Sequence, residues 1–138
     1  MKKILSIIVP CYNEEQALPF FYQEIDKVSK ELKELHFELI FVNDGSKDKT
    51  WEKICEEGES NTKIRGVCFS RNFGKESAMF AGMAEAKGDC VVIIDCDLQH
   101  PPKKIVEMYR LWEQGYEIVE GVKASRGKES GMHAFAAK

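Results

Sequence analysis

The sequence lacks an apolar run long enough to cross a bilayer, which would need about eighteen residues. The apolar stretch near the N-terminus follows two lysines, but Pro10 and the polar residues after it end that stretch early. The sequence also lacks an excess of positive charge, since its formal net charge is -3. Such a balance attracts neither nucleic acid nor anionic lipid. We therefore expect a soluble chain with no transmembrane segment and no nucleic-acid partner.

Cysteine is present but is not arranged as a disulfide framework or a zinc site. The cysteines are odd in number and form no CxxC pair. They are Cys11, Cys55, Cys68, Cys90 and Cys96. This usage is typical of reduced thiols that mostly pack as small buried side chains. It indicates a cytoplasmic compartment.

Short, β-branched apolar runs alternate with longer amphipathic stretches along the chain. The runs are almost continuously apolar, which predicts strands covered on both faces, as in a parallel sheet. We predict strands over 4–9, 37–42, 64–69, 90–94 and 117–122. Helices fill the intervals, the first with apolar residues at steps of three and four. The βαβαβαβαβ order predicts an open, mostly parallel, Rossmann-like α/β sheet with helices on both faces.

Several residues mark the expected helix ends. Asp48 or Thr50 can cap the second helix. The third helix is predicted over 75–87, with Gly88 as a left-handed terminator. Beyond Lys123 the residues are mostly Lys, Ser, Arg, Gly and Glu, and no strand pattern is evident.

Ligands of an open α/β sheet bind beyond the carboxyl ends of its strands. Polar or charged residues follow four consecutive predicted strands here, over 10–15, 43–46, 70–75 and 95–99. Parallel strands present these ends at one edge of the sheet. The sequence therefore predicts one binding site built from four loops.

Asp95 and Asp97 form the most specific of these features, an Asp-x-Asp (DXD) pair. Two carboxylates this close at a sheet edge repel each other unless a cation lies between them. Mg²⁺ and Mn²⁺ prefer such oxygen ligands and complete their coordination with water and substrate phosphate. The side-chain carbonyl of Gln99 can add a ligand. A solvated acidic turn is the alternative, but the polar neighbouring strand ends favour the metal.

No glycine-rich phosphate loop follows the first predicted strand, in either the GxGxxG or the GxxxxGK[ST] form. This argues against a dinucleotide site and a P-loop. A diphosphate here would need a metal ion and cationic side chains to neutralise it. Arg71 and Lys75, which flank Gly74, are the candidates, although an ordinary charged surface loop has the same composition.

Two further residues have chemistry suited to a nucleoside. The carboxylate of Asp44 can accept a hydrogen bond from a base N–H or a ribose hydroxyl, and Tyr12 has a flat ring for stacking. An Asx-type turn would also explain Asp44, and packing at a rim would explain Tyr12. His100 receives no role.

These segments closely resemble the family 2 glycosyltransferases of the GT-A fold. The similarity is strongest to the branch of dolichol-phosphate mannose synthase and the bacterial polyprenyl-phosphate glycosyltransferases. The matching segments are SIIVPCYNEE at 6–15, FVNDGS at 41–46, SRNFGKE at 70–76 and IDCDLQHPP at 94–102. The resemblance runs over about residues 5–122. It implies a nucleotide-sugar-binding subdomain over 1–122 and, over 123–138, the start of an acceptor-side region that is truncated or poorly ordered.

The resemblance also implies roles for individual residues. Those expected to line the nucleoside pocket are Pro10, Tyr12, Glu14 and Asp44. Those expected near the charged part of the donor are Arg71, Gly74 and Lys75. Asp97 would ligate the metal directly, with Asp95 and Gln99 assisting near sugar and diphosphate. Asp95 and Asp97 are thereby the catalytic candidates, and no general base can be assigned.

The implied reaction is metal-dependent transfer of a hexose from a UDP- or GDP-sugar with inversion at the anomeric carbon. The acceptor would be a lipid phosphate, such as a polyprenyl phosphate, or a glycan, in cell-envelope glycan synthesis. Similar enzymes continue well past the end of this sequence and often carry transmembrane helices. A full-length protein would accordingly lie at the cytoplasmic face of a membrane.

Two other interpretations stay open. The chain could be a nucleotide-sugar-binding module that is catalytically incomplete and needs further C-terminal sequence or a partner, and its open sheet edge could pair with a second copy as a homodimer. A phosphoryl-transfer enzyme could also use an acidic pair on a similar sheet. However, haloacid-dehalogenase-type enzymes place that pair after the first strand, and here it follows the fourth.

Overall fold

The computed structural model describes residues 2–120 and the backbone of 135–137. The strands are β1 (Lys3–Cys11), β2 (Leu35–Asn43), β3 (Ile64–Cys68), β4 (Cys90–Ile93), β5 (Ile118–Val119) and β6 (Phe135–Ala137). The helices are α1 (Leu18–Glu31), α2 (Thr50–Ser60), α3 (Lys75–Glu85) and α4 (Lys104–Glu113). The predicted α/β alternation is confirmed.

The described strands form one sheet in the order β3-β2-β1-β4-β6-β5. The first four strands of that order are parallel, and Leu5 of β1 lies opposite Phe37 on β2 and Cys90 on β4. Strand β6 is antiparallel and separates β4 from β5. The strand predicted at 117–122 is shorter in the structure, Ile118–Val119. It pairs with β6, which the sequence pattern did not predict.

Helices cover both faces of the sheet because alternate strand residues point to opposite sides. Leu5, Ile7 and Val9 of β1 belong to a core cluster that also holds the apolar faces of α1 and α4. Ile8 faces the other side, in a cluster with Ala78 of α3. The buried residues that α1 and α4 supply are Leu18, Phe21, Ile25, Val28, Ile105, Met108 and Tyr109.

The predicted end of α3 is wrong. The helix ends at Glu85, and the next residue, Ala86, is already extended. Gly88 does not adopt the left-handed conformation. It is needed for close packing, since a Cβ there would lie 2.4 Å from Ser6 Oγ and 2.7 Å from the carbonyl oxygen of Ile4.

The predicted capping of α2 by Asp48 or Thr50 is wrong, since the N-cap residue is Lys49 and it makes no side-chain capping hydrogen bond. Asp48 Oδ1 accepts a hydrogen bond from the N–H of Thr50, the first residue of α2, at 2.9 Å. Within the described residues, no helix is long and apolar enough to cross a bilayer.

Candidate functional site

A cleft of about 220 Å³ lies where the carboxyl ends of β1, β2 and β4 meet the start of α3. Its lining residues are Pro10, Cys11, Tyr12, Glu14, Asp44, Lys75, Asp95 and Asp97. All but Cys11 were singled out from the sequence. The parallel register of the strands therefore brings the predicted loops to one place.

Acidic groups dominate one side of this cleft. Asp95 and Asp97 follow β4, and Glu14 approaches them from the loop after β1. Partial burial, and then the negative charges of Asp97 and Asp95, raise the pKa of Glu14 to about 7. A carboxyl whose ionisation is opposed by its neighbours indicates a place where a cation would be stabilised.

The turn that carries Asp97 is locally unusual. Leu98 has a φ of 65°, in the left-handed region that non-glycine residues rarely adopt. Asp97 Oδ1 accepts a hydrogen bond from the Gln99 N–H at 3.1 Å. Gln99, which the sequence predicts as a further metal ligand, does not line the cleft.

Lys75 provides the positive charge of the cleft. Its Nζ lies 2.8 Å from Asp95 Oδ1 and 2.9 Å from Oδ2, so both carboxylate oxygens are engaged. Among the described residues that line the cleft, Lys75 is the only cationic one. One carboxylate of the DXD pair is thus neutralised by a lysine within the chain.

Asp44 is 4% exposed and binds the loop between β3 and α3. Its carboxylate accepts hydrogen bonds from the N–H groups of Phe73 at 2.8 Å and Gly74 at 3.1 Å, and from the side-chain amide of Asn72 at 3.2 Å. The Asx-type contact proposed for Asp44 is made instead by its neighbour Asn43, which accepts from the Ser46 N–H. Asn72 is a site residue that the sequence did not identify.

The turn after β2 packs directly on this loop. Gly45 has a φ of +70°, and a Cβ there would lie 2.3 Å from the backbone carbonyl carbon of Arg71. This contact explains why glycine follows Asp44. The β2 turn and the β3–α3 loop therefore form one packed unit beside the cleft.

Tyr12 lies at the rim and is 42% exposed, which leaves its ring accessible for stacking. Hydrogen bonds fix the loop that carries it: the Asn13 N–H donates to Ser46 Oγ, and the Glu14 N–H donates to Thr50 Oγ1. These contacts join the loops after β1 and β2.

Arg71 and Gly74 lie beside the cleft but do not line it. The Arg71 guanidinium stacks over the Phe73 ring, 3.9 Å from its centroid. Gly74 has a φ of 107° and precedes α3. Of the two cations that the sequence predicts near the donor, Lys75 therefore lines the cleft and Arg71 does not.

Two buried thiols lie beneath the carboxylates. Cys11 ends β1, and Cys96 is the central residue of the DXD pair. A hydrogen bond with the Cys96 thiol, together with burial, raises the pKa of the Cys11 thiol well above its usual value. The Cys11 thiol is therefore not a nucleophile at neutral pH. Cys11 and Cys96 are small buried packing groups, as predicted, whereas Cys55 and Cys68 are exposed.

A larger hollow of about 340 Å³ lies between α1, α2 and β2, away from the strand ends. Phe21, Tyr22 and Leu39 line it together with scattered polar side chains. None of the residues predicted to carry chemistry borders it. We therefore assign the functional site to the smaller cleft.

Comparison with known proteins links this arrangement to one group. The family model described as glycosyl transferase family 2 matches residues 6–132. An uncharacterized glycosyltransferase, YkcC, of Bacillus subtilis is 45% identical over 91% of this chain and 38% of its own length. A prophage bactoprenol glucosyl transferase homolog of Escherichia coli is 39% identical over 91% of this chain and 40% of its own length.

An undecaprenyl-phosphate 4-deoxy-4-formamido-L-arabinose transferase of Pseudomonas savastanoi is 38% identical over 90% of this chain and 37% of its own length. The chain therefore spans about two fifths of the length of these relatives.

Solved structures share the fold. The mannosyltransferase PcManGT of Pyrobaculum calidifontis, in complex with GDP-Man and Mn²⁺, has a TM-score of 0.74 at 23% identity and covers 89% of this chain and 36% of its own. S. aureus TarS 1-349 in complex with UDP-GlcNAc has a TM-score of 0.66 at 21% identity, with 94% of this chain and 37% of its own covered.

Proposed function

Since the chain belongs to glycosyl transferase family 2, we propose that its cleft binds the nucleoside diphosphate part of a sugar donor together with Mg²⁺ or Mn²⁺. The observation that carries this proposal is that three carboxylates and one lysine line a single cleft at the strand ends: Asp95, Asp97, Glu14 and Lys75. Such a set offers oxygen ligands to a cation and a cationic side chain to a phosphate.

The residues present fit a divalent cation of this kind. Within residues 2–120, no three His, Cys, Asp or Glu side chains form a ready metal cage. Two carboxylates with open coordination positions are nevertheless what a hard cation needs when substrate phosphate completes its shell. Burial is the largest cause of the raised pKa of Glu14, and the negative charges of Asp97 and Asp95 add to it; these charges support the same conclusion.

Each residue of the cleft would contact a different part of the donor. Asp97 and Asp95 would hold the cation, and Lys75 would approach the diphosphate oxygens. Tyr12 would stack on the base at the rim, and Glu14 would accept from the ribose hydroxyls. When bound, the cation would stabilise the negative charge that develops on the departing nucleoside diphosphate.

Asp44 would have a role other than the contact with the nucleoside that the sequence predicts for it. Its oxygens accept from Asn72, Phe73 and Gly74, which fixes the loop that leads into α3. Asp44 would therefore set the position of Lys75 relative to the donor. A base N–H that donated to Asp44 would have to share the carboxylate oxygens with these three donors.

We further propose an inverting hexose transfer to a polyprenyl phosphate in cell-envelope glycan synthesis, at the cytoplasmic face of a membrane. The names of the relatives, which include bactoprenol and undecaprenyl-phosphate transferases, support this acceptor. A phosphate monoester is mostly ionised near neutral pH, since its second pKa is about 6. Such an acceptor can attack the anomeric carbon without a general base from the cleft.

Calorimetric titration with UDP, GDP and their hexose conjugates, with Mn²⁺ or with EDTA, tests the donor proposal. We expect one nucleotide to bind in a manner that requires the metal, and its base identifies the donor class. Absence of metal-dependent binding for every nucleotide would refute the donor site. Binding without hexose transfer to a polyprenyl phosphate would instead support the binding-module alternative.

A further inference from the structure

Lys75 makes a contact that its proposed role at the diphosphate does not by itself explain. Its Nζ lies within 2.9 Å of both oxygens of Asp95, a carboxylate that is itself proposed to hold the cation. The Asp95 side chain is 18% exposed and that of Lys75 is 43% exposed. The pair is thus shielded on the carboxylate side and open on the lysine side.

Helix stability does not account for a lysine at this position. Lys75 is the first residue of α3, where the positive end of the helix dipole disfavours a cation. Its ion pair with Asp95 offsets that unfavourable interaction. The placement is therefore governed by the cleft and not by the helix.

The backbone just before Lys75 is held by a hydrogen bond, whereas the lysine side chain is a flexible four-carbon stem. The preceding Gly74 donates its N–H to Asp44 at 3.1 Å. A long, flexible side chain on a fixed Cα can redirect its ammonium by several ångströms through rotamer changes alone. Lys75 can therefore leave Asp95 without any movement of α3.

From these observations, and resting on the proposed donor site, we propose that Lys75 is an exchangeable internal counter-ion of Asp95. A divalent cation and the Lys75 ammonium compete for the same carboxylate oxygens. When the cation takes Asp95, the diphosphate offers Lys75 a new anionic partner. Lys75 thus opposes metal binding alone and favours metal binding with a nucleoside diphosphate, so it couples the two ligands.

The coupling has a definite sign for each ligand. Removing the Lys75 charge strengthens the binding of Mn²⁺ alone, because its competitor is gone. The same change weakens the binding of UDP or GDP in the presence of Mn²⁺, because a phosphate partner is lost. A lysine that served only as a surface ion pair would produce neither effect in this combination.

The test compares Lys75→Met with Lys27→Met, which removes the same charge from an exposed ion pair with Glu24 on α1. Mn²⁺ binding without nucleotide is measured by electron paramagnetic resonance titration. We expect Lys75→Met to bind Mn²⁺ about fivefold more tightly than the wild type, with Lys27→Met unchanged. Unchanged or weaker Mn²⁺ binding in Lys75→Met would overturn the proposal.

A double-mutant cycle with Asp95→Asn locates the effect. In the Asp95→Asn background, the Lys75→Met substitution should no longer tighten Mn²⁺ binding, since the lysine then has no carboxylate to release. Tightening that persists would place the competition elsewhere and contradict the proposal. Thermal melts of each variant confirm that the protein is folded.

A calorimetric arm with UDP and GDP completes the design. The ratio of nucleotide affinities with and without Mn²⁺ should fall about fivefold in Lys75→Met. An unchanged ratio would also overturn the proposal. If the wild type binds neither nucleotide, the proposed donor site fails, whereas the Mn²⁺ titration still decides whether Lys75 is a counter-ion.

Discussion

The carboxylate of Asp44 accepts a hydrogen bond from the backbone N–H of Gly74 at 3.1 Å, which joins the turn after β2 to the residue that precedes α3. Asn72 and Phe73 donate to the same carboxylate. This connection fixes the residue that precedes Lys75, and Lys75 lines the cleft with Asp97. The loop that leads to Lys75 is thereby held by Asp44, which lies thirty positions before Gly74 in the chain.

Asp44→Asn should destabilise the protein by about 2 kcal/mol. The reason is that an NH2 group, which cannot accept, replaces one of the two carboxylate oxygens that accept from several N–H donors. Nucleotide affinity should fall as well, since the loop leading to Lys75 loses its anchor. Urea unfolding measures the first effect and calorimetry the second. Asp26→Asn, at an exposed carboxylate on α1, serves as the matched control and should change stability by less than about 0.5 kcal/mol.

Gly45→Ala should destabilise the protein by about 2 kcal/mol or more, because the new Cβ would meet the Arg71 backbone at 2.3 Å on a residue with a φ of +70°. Gly58→Ala provides the contrast. Gly58 lies within α2, where a Cβ would meet only Ile64 Cγ2 at 3.8 Å. Alanine should stabilise that position by about 0.5 kcal/mol. Equal effects at the two sites, measured by thermal unfolding, would show that the packing of the β2 turn is misassigned.

The raised pKa of Glu14 predicts a pH dependence of stability. A carboxyl whose pKa rises from 4.5 to about 7 on folding favours the folded state below pH 4.5, and this contribution is lost as the pH rises through 7. The side chain is partly exposed, so solvent screening reduces the effect to about 1 kcal/mol. Glu14→Gln should therefore gain stability relative to the wild type between pH 5 and pH 8, as measured by urea unfolding. A constant difference between the two proteins over this range would contradict the assignment.

The edge of the sheet that holds the site was predictable from the sequence, and the contacts within the site were not. Polar residues after consecutive buried strands must meet where the parallel strands end, so the positions of Asp44, Asp95 and Asp97 followed from the pattern. Which side chains pair depends on loop conformation. The Lys75–Asp95 ion pair and the hydrogen bond from Asn72 to Asp44 join distant segments of the chain. No local sequence pattern therefore indicates them.

Two features of the fold were missed for related reasons. Strand β6 is defined by pairing with β4 and β5, and its short Phe135–Ala137 segment has no strand pattern of its own. Gly88 resembles a helix terminator in sequence, but the reason for glycine is the proximity of Ser6 and Ile4 on β1. In both cases the deciding contact comes from a remote part of the chain.

We propose that Asp97 holds a divalent cation, which recruits a nucleoside diphosphate. The most direct test of this proposal is calorimetric titration of Asp97→Ala with UDP and GDP in the presence of Mn²⁺, alongside the wild type and a thermal melt of each. We predict that the wild type binds one nucleotide only with Mn²⁺, and that Asp97→Ala loses this binding while its melting temperature is little changed. Metal-dependent nucleotide binding of wild-type affinity in Asp97→Ala would show that Asp97 does not hold the cation.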